Sequence, residues 1–146
     1  MKFISRLFAP QDVREALQAI TKIEQSLPEN ALGLRLGFDV IKDNLRKEIT
    51  DKPEELRTAM QNTGYPIDAL VVIRARNLVC DELESGMHMA LAGYASGTAM
   101  TMSGDGLRSL HGHLTNLLEK DGIETKEEAA ESRKYLREMI QQRFGP

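Results

Sequence analysis

Val13, Ala16, Ile20, Ile23 and Leu27 recur at spacings of three and four, and Leu34, Phe38, Ile41, Leu45 and Ile49 repeat that rhythm. An α-helix turns about 100° per residue, so this spacing lays each set along one face; a strand would divide it between two. Two such seams commit the start of the chain to helices packed lengthwise. Pro10 suits the first turn of the first helix and Pro28 stops it. Gly33 and Gly37 blur the start of the second, where a short strand around Leu34–Leu36 competes.

The remaining chain reads in the same way. Thr50–Glu55 has a capping residue, an early proline and acids in the first turn, the signature of a helix start. That short helix ends near Asn62–Gly64. Ile67 to Leu83 is apolar over most of its girth; its β-branched Val71, Val72 and Ile73 allow a strand at 69–74, but its length favours a central helix. Ser103–Gly106 reads as a break before the seam Leu107, Leu110, Leu114, Leu117 and Leu118. Gly122 followed by Ile123 fits a left-handed C-terminal cap, and Thr125–Glu128 a capping box that opens a highly charged last helix to about Arg143. The expected fold is all-α. It is a single domain over 1–146, with an apolar, basic leader at 1–9 and a bundle of five to six helices at 10–143. A small-residue, Met-rich helix stands at its centre.

Composition narrows the class of protein. A chain of 146 residues with 41% apolar and 28% charged residues buries a core without staples. Its net charge of −3 provides no global basic field for nucleic acid or anionic lipid. The single cysteine, Cys80, excludes an intrachain disulfide and makes a reducing cytoplasm the expected compartment. The leader is interrupted by Arg6 and ends at Pro10, too short for a signal peptide's apolar region.

Residues 86–102 hold two Met-x-Met pairs, Met87/Met89 and Met100/Met102, with His88 inside the first. The uncharged stretch from Ser85 to Gly104 is long enough to span a bilayer, but Gly, Ser, Thr and His make it too polar. Thioethers and imidazole suit Cu(I). On a helix, however, Met87 and Met89 point to roughly opposite sides, and only a hairpin with a poor Tyr94–Ala95 turn would gather all four sulfurs. Ala90, Ala92, Ala95 and Ala99 favour helix, and Gly93 and Gly97 would admit a close neighbour. The stretch reads as a buried, close-packing helix with methionine as filler.

Cys80, Glu84 and His88 are spaced by four, and His111 or His113 from the next helix could complete a site; the candidate metal set for Zn, Fe or Cu is Cys80, Glu84, His88 and His111. No Cys-x-x-Cys or His-Glu-x-x-His accompanies it. The plainer reading is a buried thiol, a surface carboxylate, a hydrogen-bonded core His111 and a solvated His113. Ser103 and Ser109 lie near histidines without a nucleophile elbow. Gly104–Gly106 lacks the Lys-Ser/Thr of a phosphate loop. Leu56–Met60, a turn at Gly64 and Arg74 and Arg76 beyond it have a helix-turn-helix layout, but the second helix begins with residues that want burial.

No motif assigns a biochemical function. The patterns are those of a cytoplasmic helical protein that acts through contact with itself, as a homodimer or larger, or with another protein. A metal- or small-ligand-binding protein, with or without catalysis, using Cys80, Glu84, His88 and His111 is the alternative. DNA binding ranks third.

Overall fold

Each apolar seam of the sequence is a helix in the structure, a computed structural model that describes residues 2–85 and 99–144. The helices are α1 (Lys2–Ser26), α2 (Leu32–Asp51), α3 (Pro53–Thr63), α4 (Ile67–Glu84), α5 (Ala99–Lys120) and α6 (Lys126–Phe144), and no strand occurs among the described residues. The fold is therefore an all-α helical bundle. No helix among the described residues is long and apolar enough to cross a membrane.

The seam residues form the core. Ala16, Ile20 and Ile23 of α1, with Leu27 just past its end, meet Phe38, Ile41, Leu45 and Ile49 of α2, all buried. The run at 67–83 is helical throughout, including the β-branched 71–73 that permitted a strand. Tertiary burial overrides strand propensity here: α4 hides Ile67, Leu70, Val71, Val72, Ala75, Leu78, Val79 and Leu83 and packs against α1, α2, α3, α5 and α6. Leu107, Leu110, Leu114 and Leu118 of α5 close the interior. Truncating one of these large buried side chains to alanine costs about 2–5 kcal/mol, because the space left behind does not fully collapse.

Helix ends follow the local code in most places. Gly64 and Gly122 adopt left-handed φ of 72° and 75°. Gly64 N–H donates to Met60 O at 2.8 Å, and Ile123 N–H to Leu118 O at 3.0 Å. The capping box is reciprocal: Glu128 N–H donates to Thr125 Oγ1 at 3.1 Å, and Thr125 N–H to Glu128 Oε1 at 3.0 Å. Pro53 opens α3 with Glu54 and Glu55 in its first turn, as expected, but without a side-chain cap. Thr50 belongs to α2 instead and donates to Arg46 O at 2.9 Å.

Three expectations are corrected. α1 starts at Lys2 rather than at Pro10, so the leader is an extension of the first bundle helix. The proline inside it forfeits one backbone hydrogen bond without ending the helix. The strand weighed at Leu34–Leu36 is absent, since α2 already runs from Leu32. Finally, Ser103–Gly106 is no break, because α5 passes straight through it. Its glycine serves a helix crossing: a Cβ on Gly106 would stand 2.0 Å from the Gly33 carbonyl oxygen and 3.1 Å from the Gly37 nitrogen. Among the described residues this contact lies in the most extensively packed helix pair, α2 with α5. The close approach expected of Gly93 and Gly97 falls, with most of the Met-rich stretch, outside the described residues.

Candidate functional site

The polar face of α4 presents Asn77, Cys80, Asp81 and Glu84, three and four residues apart and therefore on one side of the helix. They line a cleft of about 670 Å³ whose other wall is Glu131, Ser132 and Tyr135 of α6. His111 of α5 lies between these walls, and Arg74 and Arg76 also border the cleft. Three of the four residues singled out in the sequence, Cys80, Glu84 and His111, thus share one hollow. The fourth, His88, lies outside the described residues.

Sharing a cleft is not the same as forming a ligand set. Among the described residues, no three His, Cys, Asp or Glu side chains are grouped to hold a metal ion. Glu84 is engaged by Arg143, whose Nη2 donates to Glu84 Oε1 at 3.0 Å. Cys80 is half-buried, and burial is the main cause that pushes its thiol up to about 11, where it stays protonated near neutrality.

His111 is the unusual member. It is only 2% exposed, yet its ring makes no hydrogen bond among the described residues. Burial first, then the neighbouring charges of Arg76 and Arg133, lower its pKa to about 4. The imidazole is therefore neutral, with one donor and one bare acceptor nitrogen. The expected hydrogen-bonded core histidine is half right: the burial is there and the partner is not. His113 departs from expectation in the opposite sense. It is half-buried and bonded, with Nε2 2.9 Å from Ser26 Oγ. The Ser26 hydroxyl donates its proton to Ile23 O at 2.6 Å, so the His113 Nε2–H is the donor in this pair.

Both arginines of α4 are matched by carboxylates. Arg74 Nε and Nη2 donate to the two oxygens of Glu48, each at 2.7 Å. Arg76 Nη1 and Nη2 donate to Glu124 at 2.8 and 2.5 Å, and Nη1 also reaches Thr115 Oγ1 at 3.3 Å. α3, the turn at Gly64 and α4 do have the helix-turn-helix order. The second helix is nonetheless a core element, and its two guanidiniums are spent on Glu48 and Glu124.

Asp81, Glu131, Ser132 and Tyr135 were not anticipated as cleft residues. The spacing of 131 and 135 puts both on one face of α6, but only the packing of α6 beside α4 makes that face a wall. A second, more apolar hollow of about 360 Å³ lies between α2, α3 and α4, over Leu45, Ile49, Leu56 and Leu70. Compared with known protein families, curated proteins and solved structures, the chain matches none.

Proposed function

We propose that this chain is a small-ligand-binding helical protein whose site is the cleft between α4, α5 and α6. The observation that carries the reading is His111. No side-chain nitrogen or oxygen among the described residues is both fully buried and unpaired, so the unbonded ring nitrogens of His111 open onto the cleft, where a ligand can supply their partner. Neutral hydrogen-bonding groups surround it in Asn77, Cys80 and Ser132. Binding is favoured over nucleophilic catalysis because the Cys80 thiol is held protonated and no described base is hydrogen-bonded to it. Native mass spectrometry of the protein purified without denaturation tests this. The expected result is a retained small molecule or metal that is lost in the His111→Leu variant, with the fold preserved by circular dichroism. Retention that is indifferent to His111 contradicts the assignment.

Self-association in the cytoplasm is a second reading, favoured by the outer face of α1. Val13 and Leu17, one turn apart and partly exposed, line a shallow hollow of about 440 Å³ with Arg14, Gln18 and Thr21. Such a stripe suits a second copy packed lengthwise. Sedimentation equilibrium at micromolar concentration reads this directly, and a monomeric mass removes it.

A further inference from the structure

Among the described residues, α3 is the helix that contributes no fully buried side chain. Its apolar face, formed by Leu56, Ala59 and Met60 at spacings of three and four, is only partly buried. Protein interiors rarely leave voids much larger than a water molecule. Beneath α3, however, the packing against α2 and α4 leaves the hollow of about 360 Å³, a volume within the range of small-molecule sites. Its inner wall is apolar, with Ile49 and Leu70 from the bundle facing Leu56 and Ala59 of α3. The rim is charged but balanced. Arg74 donates to both oxygens of Glu48, and Lys52 and Glu55 border the same mouth. Arg74 and then Lys52 hold the Glu48 carboxyl low, while Glu48, then Asp81 and Glu55, hold the Arg74 guanidinium up. The mouth thus has two cations and two anions close enough to act on one another, and no net charge to draw an ion.

We propose that the hollow beneath α3 binds an uncharged amphiphile, an aliphatic chain that carries one hydroxyl group. The chain covers Ile49, Leu56, Ala59 and Leu70, as apolar guests occupy hollows lined by leucine and isoleucine. The hydroxyl is donor and acceptor in one, and it meets both kinds of partner at the rim: the carboxylates of Glu48 and Glu55 accept from it and the Lys52 ammonium donates to it. A carboxylate head would meet Glu48 and Glu55, and an ammonium head Arg74 and Lys52, so either charge gains like-charged neighbours with each partner. A ligand polar throughout leaves the apolar wall in water. This site is separate from the cleft of His111, and of the residues lining the two only Arg74 borders both.

The test is a titration of the full-length, isotopically labelled protein at fixed ionic strength, followed by the methyl signals of Ile49, Leu56, Ala59 and Leu70 and by the His111 ring. The probes are hexanol, hexanoate and hexylamine, one chain with three head groups. Hexanol is expected to shift the four methyl signals saturably and to leave His111 still. The two charged probes are expected to bind about fivefold or more weakly, because a charge gains less than a hydroxyl at a balanced rim. Ala59→Leu replaces one good helix former by another and fills the hollow with its own side chain. It is expected to weaken hexanol about tenfold or more without lowering the thermal midpoint. Hexanol shifts that survive Ala59→Leu overturn the proposal, and so does equal or tighter binding of either charged probe at these methyl groups. Shifts confined to His111 also overturn it and assign the chain to the cleft instead. Silence of all four methyl groups overturns it while leaving the cleft reading to its own test. The comparison of head groups uses the unmodified chain, so it decides the proposal even where Ala59→Leu alters stability.

Discussion

Gly37 and Gly106 meet backbone to backbone: a Cβ on Gly37 would lie 2.6 Å from both the carbonyl carbon and oxygen of Gly106. Neither helix can yield there without separating α2 from α5. Gly37→Ala is therefore expected to destabilise the fold by about 2–3 kcal/mol, the upper part of the overpacking range. The sign is diagnostic, because alanine in an unhindered helix position stabilises relative to glycine by about 1 kcal/mol. Gly112, also within α5, has nothing among the described residues within 4 Å of its added Cβ. Gly112→Ala should accordingly raise stability by about 0.5–1 kcal/mol. Urea denaturation of the two variants in parallel separates the crossing from the propensity.

How much of this was legible in the chain follows from the range of each interaction. The seams at 13–27 and 34–49 announced their helices because periodicity is a local property, and so did the cap at Gly122 and the box at Thr125. The break that Ser103–Gly106 suggests is continuous helix at Gly106. In sequence, Gly-Asp-Gly looks like flexibility, and only the position of Gly33 and Gly37, some seventy residues earlier, makes it a crossing. The site divides in the same way. Cys80 and Glu84 share a face by spacing alone, and His111 joins them in the cleft. The opposing wall on α6 and the pairing of Arg76 with Glu124 depend on tertiary packing that no local pattern records.

His111 makes stability depend on pH. Its pKa is about 4 in the fold and near the ordinary 6.5 when unfolded. Between these values the unfolded chain binds more protons than the native one, so stability is full above pH 6.5 and falls as pH drops towards 4. Between pH 7 and 5 this loss amounts to about 2 kcal/mol from His111. His113, also lowered by burial, adds to it in the same direction. Urea midpoints at pH 7 and 5 should fall less in His111→Leu than in the unmodified protein. An equal fall in both would show that the ring titrates normally. The window stops at pH 5 to stay above the range where Glu48, held low by its hydrogen bonds from Arg74, begins to lose its own contribution.

Cys80 should react slowly. With its thiol raised to about 11 by burial, the reactive thiolate is scarce at neutral pH, and the higher basicity of that thiolate only partly compensates. Alkylation by iodoacetamide at pH 7.5 is expected to run about tenfold or more below that of glutathione, and to reach the glutathione rate once urea unfolds the chain. A folded-state rate equal to glutathione's would place the thiol in water instead.

Arg76 and Glu124 form the least exposed ion pair among the described residues, with side chains only 11% and 13% exposed. Glu124 lies just beyond Gly122 in the connection from α5 to α6, so the pair ties α4 to the start of the helix that forms the opposite cleft wall. Removing one partner strands the other charge in a place with little water. Glu124→Ala and Arg76→Met are each expected to cost about 3 kcal/mol, the lower end of the range for broken buried pairs. In the double variant no charge is stranded, so its cost should fall well short of the sum, with a coupling of at least about 1.5 kcal/mol between sites in direct contact. Amide exchange supplies a second measure. In Glu124→Ala, protection at the start of α6 should fall more than protection in α2, because the lost tie holds that wall and not the glycine crossing. Additive costs with uniform loss of protection would mean that packing around Thr115 and Leu118, not the ion pair, fixes α6 against α4.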